Sequence, residues 1–154
     1  MVFTRRTSRR FAQRYLSRDL GGGPLRLPLV SIRLQGQGVQ SFQTNALVDS
    51  GATASIVPPE MAAILGLEGG EPAAASGAGG AFDTRVERIR IEVLAGKRVA
   101  ATFDGDVHVP IEEGRVPFVI LGRDTIFLGY DITFREHRQL MVFRKPRRVR
   151  RRPA

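Results

Sequence analysis

Apolar and polar residues alternate along most of this chain, and the dominant period is two. Residues 86–93 are the cleanest case: Ile89, Ile91 and Val93 fall on one face and Arg88, Arg90 and Glu92 on the other, as a half-buried strand requires. Residues 29–34 and 39–48 read as two further strands joined through Gly36-Gln37-Gly38. Residues 99–103, 107–109 and 140–143 are short strands, and Tyr130, Ile132 and Phe134 alternate with Asp131 and Thr133. Residues 116–121 are almost wholly apolar, as a central strand is. Helical signals are few. Residues 58–66 open on two prolines, carry Glu60 early and end on Gly66, and residues 123–128 suit a second short helix. In residues 1–20, arginines interleave with Phe3, Phe11, Tyr15, Leu16 and Leu20 in a pattern that a short basic amphipathic helix would produce, ending at Gly21-Gly22-Gly23-Pro24. Residues 69–80, rich in Gly and Ala, have no apolar period and read as a mobile loop. The whole predicts a mostly β fold, a closed or folded-over antiparallel β-barrel with one or two short helices.

Composition narrows the chemistry. With 154 residues, 42% of them apolar and 25% charged, the chain suits a single folded domain. No apolar run approaches the roughly 18–20 residues of a membrane helix, so no transmembrane segment is expected. Cysteine is absent, which removes thiol nucleophiles, disulfides and thiolate metal sites and fits a cytoplasmic, reducing location. Only His108 and His137 are present, so a multi-histidine metal centre or a hydrolase triad is poorly supplied.

The net charge of +9 changes meaning once it is placed along the chain. Residues 1–20 carry six arginines against Asp19, and residues 144–154 carry six arginines and Lys145 with no acid. The two ends therefore hold +12, and residues 21–143 are left at −3. A mildly acidic domain with basic ends differs from a basic nucleic-acid reader. The expected organisation is a basic N-terminal segment over 1–24, flexible or a short helix, a folded domain over 25–143, and an arginine-rich tail over 144–154. Such tails attract nucleic acid or anionic membrane non-specifically and in a salt-dependent way. Asp104-Gly105-Asp106 lacks the further oxygen ligands of a calcium loop and reads as a hairpin turn, as does Glu112-Glu113-Gly114.

One segment carries chemistry. Ala46-Leu47-Val48 leads into Asp49-Ser50-Gly51-Ala52, then Thr53-Ala54-Ser55-Ile56-Val57. A carboxylate placed directly after a buried strand leaves the sheet at a fixed position; Gly51 allows close backbone approach, and Ser50 can hydrogen-bond around the turn. Downstream stands Phe118-Val119-Ile120-Leu121-Gly122-Arg123-Asp124, and between them Ser76-Gly77-Ala78-Gly79-Gly80.

In order and spacing these three segments resemble the retropepsin-like aspartic proteases, over about residues 25–143. The resemblance implies an acid-protease β-barrel, with Asp49 as catalytic carboxylate, Ser50, Gly51 and Ala52 supporting the active-site turn, and Gly77, Ala78, Gly79 and Gly80 as the substrate-covering flap. Leu121, Gly122, Arg123 and Asp124 form the structural motif before the short helix, with Asp124 capping or ion-pairing. Aspartic proteolysis uses two carboxylates that share a proton, and only one Asp-Ser-Gly is present, so the resemblance implies a homodimer acting on a polypeptide, with no metal and no organic cofactor. Ser50 would brace the carboxylate pair. Thr53 stands where many viral members carry an acid that pairs with the later arginine, and the arginine-rich end departs from the interleaved termini of viral dimers. Residues 140–143 could supply that pairing, or dimerisation differs. A rival reading is a non-catalytic dimerisation module of the same fold whose basic arms bind nucleic acid or an acidic partner.

Overall fold

The alternation becomes strand after strand in a computed structural model that describes residues 2–3, 9–38, 40–77 and 80–146. In chain order the elements are β1 (Val2–Phe3), β2 (Arg10–Arg14), β3 (Leu16–Asp19), β4 (Pro24–Leu27), β5 (Leu29–Gln35) and β6 (Ser41–Val48). The helix α1 (Pro59–Ile64) follows, then β7 (Glu71–Gly77), β8 (Gly80–Ala95), β9 (Arg98–Pro110) and β10 (Val119–Leu121). The last elements are α2 (Ile126–Gly129), β11 (Asp131–Arg135) and β12 (Leu140–Arg144). The fold is mostly β with two short helices.

The large sheet runs β1-β9-β8-β5-β6-β10, with β7 attached to the outer stretch of β8. Its core face is built by Leu34 and Ile32 of β5, Ile89, Ile91 and Val93 of β8, and Phe103, Val107 and Val109 of β9, all buried. Polar partners meet on other positions of the same strands: Arg33–Glu92 at 2.7 Å, Arg90–Asp104 at 2.6 Å and Arg88–Asp106 at 3.3 Å. These pairs correct the reading of Asp104-Gly105-Asp106 as a turn. Each aspartate faces an arginine of β8 and Gly105 faces Ile89, so β9 continues straight through. Exposed pairs of this kind contribute about 0.2–1 kcal/mol each, enough to favour one register but little more.

Residues 55–57 run between the ends of this sheet. Ile56 forms single bridges to His108 of β9, parallel, and to Ile120 of β10, antiparallel. Four backbone hydrogen bonds of 2.9 Å hold it there: Ile56 N to Ile120 O, Ile120 N to Ile56 O, Val57 N to His108 O, and His108 N to Ser55 O.

A second sheet, β11-β12-β2, corrects the reading of the N-terminal segment. Residues 10–14 are a strand rather than a helix or a loose tail, and β2 pairs along its full length with β12. Phe11 and Tyr15 are buried, and four residues apart is a spacing that both periods allow, since 11, 13 and 15 also share one face of a strand. The packing partner decides. Phe11 stacks on Phe143 at 4.4 Å and meets Tyr130 edge-on at 5.4 Å. β12 is paired on both edges within its own chain, so residues 140–143 have no free strand edge for a second copy. Residues 16–27 form a separate hairpin of β3 and β4. Arg5 and Arg6, and the run Arg147 to Arg152, lie outside the described residues. No helix among the described residues is long and apolar enough to cross a membrane.

Tyr15 ties this sheet to the turn after β11. Its hydroxyl donates to Glu136 and its amide to Gln139 O at 2.8 Å. Burial first, then the hydrogen bond to Glu136 and that residue's negative charge, push the phenol up to about 12. The folded chain thus holds this proton more tightly than the unfolded one. The stabilisation is complete below about pH 10 and falls as pH climbs from about 10 to 12. Denaturant midpoints measured across that range should fall steeply for the wild type and more shallowly for Tyr15→Phe, which should also lose about 1 kcal/mol at neutral pH.

Candidate active site

The strand β6 ends in buried Val48, and the next residue leaves the sheet. Two neighbours fix the exit: Val48 N donates to Pro28 O at 3.0 Å, and Asp49 N to Leu121 O at 3.1 Å. The second bond continues the parallel pairing of β6 with β10. The Asp49 carboxylate then accepts Gly51 N at 2.8 Å, and Ala52 N donates to Asp49 O at 3.3 Å, closing a tight Asx-type turn. A Cβ on residue 51 would stand 3.1 Å from Asp49 Oδ1, so glycine keeps the carboxylate close to the backbone. Asp49 itself is half-buried.

The turn is locked to the segment after β10 by backbone and side chains together. Arg123 N donates to Ala52 O at 2.9 Å, and Asp124 N to Thr53 O at 3.2 Å. The Arg123 guanidinium donates to Thr53 Oγ1 at 3.1 Å, a neutral contact at the position where an acid would have made an ion pair. Asp124 accepts both Ser55 N at 3.2 Å and Ser55 Oγ at 2.8 Å, and so acts as a hydrogen-bond acceptor rather than a member of an ion pair.

Ser55 is the site residue that the sequence reading passed over. Fully buried, its hydroxyl donates to Asp124, accepts Gly122 N at 2.9 Å and lies 2.9 Å from Thr125 Oγ1. A hydroxyl followed by Ile56-Val57, in a run that must be buried, has to find partners, and that was the available signal. Ser50, by contrast, is exposed.

Opposite the turn stands a hairpin. Residues 71–77, expected as part of a mobile loop, form β7 because the 16-residue β8 outruns its other partners and offers them an edge. Ala75 pairs with Phe82, Ser76 with Ala81 and Gly77 with Gly80; Ala78 and Gly79 of the expected flap lie outside the described residues. The base of the hairpin is pinned by Glu87, which is buried, accepts Gly70 N at 2.8 Å and pairs with Arg85 at 3.1 Å. Arg85 in turn donates to Leu67 O at 2.9 Å. Glu87→Ala should lower stability by about 2 kcal/mol by leaving Arg85 and an amide without this acceptor, and should speed amide exchange in β7 more than in β5.

Between turn and hairpin lies a cleft of about 880 Å³. Asp49, Gly51, Ala52 and Thr53 line it from the turn, and Ala74, Ser76, Gly77, Gly80 and Phe82 from the hairpin. Ile56, His108, Val116 and Ile120 form more of its wall. Arg115 also lines it, its guanidinium 4.7 Å from the Phe82 ring centroid and 3.2 Å from Glu112. The structure thus brings the Asp49 turn and the two described flap glycines onto one cleft. Leu121, Gly122, Arg123 and Asp124 are placed behind the turn as its support. Among the described residues no three His, Asp or Glu side chains gather as a metal site would require.

A family model described as "gag-polyprotein putative aspartyl protease" matches residues 36–127, well over half of the chain. The matched span takes in β6, the Asp49 turn, the hairpin and the segment through Asp124. No curated protein matches the chain.

Proposed function

The chain belongs to this retropepsin-type aspartyl protease family, and from that premise we propose that it is an aspartic endopeptidase in which two copies each supply Asp49. The observation that carries the reading is a carboxylate, fixed in a tight turn, that lines a cleft of about 880 Å³ faced by a β-hairpin. One chain offers one such turn, so the second carboxylate comes from a second copy, across a two-fold axis.

In that arrangement the two carboxylates hold one proton between them. The ionised one takes a proton from a water lying between them while the other protonates the scissile carbonyl oxygen. The oxygen of that water adds to the carbonyl carbon; as the C–N bond then breaks, the leaving amine takes a proton from the carboxyl that had deprotonated the water, and a hydroxyl of the diol returns one to the other carboxylate, so the dyad again holds a single proton. Backbone groups at Gly51 and Ala52 below, and the hairpin edge near Gly77 and Gly80 above, suit an extended peptide bound as an added strand. Neither a metal nor an organic cofactor enters this chemistry. We also read the large sheet as folding over into a barrel of the acid-protease type, a reading supported by the bridges that Ile56 makes to both β9 and β10.

The rival module with nucleic-acid-binding arms has less support, because Arg10–Arg14 is built into a sheet with Phe11 in the core. The test is digestion of an unfolded polypeptide together with a solution mass. The wild type should cleave and have the mass of a dimer; Asp49→Asn should keep the mass and lose the cleavage. Persisting cleavage in Asp49→Asn, or a strictly monomeric wild type, refutes the proposal.

A further inference from the structure

His108 is a polar residue of the cleft wall that belongs to neither the turn nor the hairpin. It sits in β9 opposite Val86, with its backbone N and O engaged by Ser55 and Val57. Its Nδ1 lies 2.9 Å from the hydroxyl of buried Thr84, which fixes the ring. No described group pairs with the other ring nitrogen. Since no buried side-chain nitrogen among the described residues lacks a partner, Nε2 is not sealed in the core, and His108 lines the cleft.

Ile56, bridged to both His108 and Ile120, stands beside it, and Ala52, Ala54 and Ala74 add small side chains to the same cleft. Those side chains leave room but offer no hydrogen bond. A tethered imidazole next to Ile56 is a polar anchor for a substrate side chain that enters there. A Thr84 hydroxyl that donates to Nδ1 leaves the ring proton on Nε2, a donor that suits an oxygen-ended group rather than an ammonium. We propose that His108 is a specificity-determining residue that seats a glutamate or glutamine side chain of the substrate in preference to an aliphatic one, a reading that rests on the cleft binding peptide as proposed above. A site built to hydrogen-bond its ligand rejects an analogue that lacks the bonding group, because the polar anchor is then left unpaired.

The experiment uses peptides varied at single positions with Glu, Gln, Leu or Lys. At one position the wild type should cleave the Glu or Gln peptides at least about tenfold faster than the Leu peptide. His108→Leu should reverse that order, and His108→Gln, which keeps a hydrogen-bonding end, should retain it. The same peptides titrated by calorimetry into Asp49→Asn, and into Asp49→Asn combined with His108→Leu, read the selection without requiring cleavage. A switch in binding preference with no cleavage in the wild type would sink the protease reading and leave this inference standing. Cleavage or binding with one order of preference before and after His108→Leu overturns the inference, as does failure of all the peptides to bind.

Discussion

Wild-type chains refolded with an equal amount of Asp49→Asn chains are expected to retain about one quarter of the activity of the same total amount of wild type, because random pairing makes only that share of dimers with two intact carboxylates. The mixed dimer holds one Asp49 and should be inactive, since a lone carboxylate cannot both accept a proton from water and leave a protonated partner for the carbonyl. Pure Asp49→Asn should fall by about three orders of magnitude or more. Substitution should leave the fold intact: the bond from Gly51 N to Asp49 Oδ1 can be kept by the amide oxygen of asparagine, and the turn is otherwise held by backbone. Activity that declines only to about one half on mixing would mean that each chain works alone, contrary to a shared site.

The largest structural effect is expected at Gly122. A Cβ there would stand 2.5 Å from Ala54 O, 2.6 Å from its carbonyl carbon and 2.9 Å from Ala52 O. All three atoms are backbone, and Ala52 O is already held by Arg123 N, so no flexible side chain can swing aside. For Gly122→Ala to fold, the Asp49 turn must draw away from β10, weakening the Ile56–Ile120 bridge, the bond that Ser55 Oγ donates to Asp124 and the one it accepts from Gly122 N. The expected loss is about 3 kcal/mol or more, a large part of the roughly 5–15 kcal/mol that holds an ordinary domain together. Cleavage should fall at least about a hundredfold even where the protein stays folded, because the carboxylate is displaced from its mount. Ser55→Ala is the control that separates network from clash: it removes the same hydroxyl bonds without adding volume and should lose about 2 kcal/mol. A denaturant midpoint for Gly122→Ala near that of the wild type would overturn this account of why the position is glycine.

Much of the fold was legible in the pattern. Strands over 29–34, 86–93 and 140–143 and the helix near 59–64 follow from side-chain period and from proline and glycine placement, which are local properties. The misread segments share a cause. Residues 10–14 carry apolar spacing that suits either period, and only the stacking of Phe11 on Phe143 selects the strand. Residues 71–77 have small side chains and no period of their own, and they become a strand because β8 presents an open edge. Asp104-Gly105-Asp106 looks like a turn until Arg88 and Arg90 are placed opposite.

The site divides in the same way. The sequence by itself determined the carboxylate and its mount, because an acid following a buried strand and preceding glycine is a local arrangement that the order of residues fixes. Only the tertiary structure decided what supports it and what faces it. Ser55 meets Asp124 across 69 positions of chain, and His108 enters the cleft of Asp49 from a strand 59 residues away. Contacts at such separations depend on sheet pairing and register, and no local pattern records them.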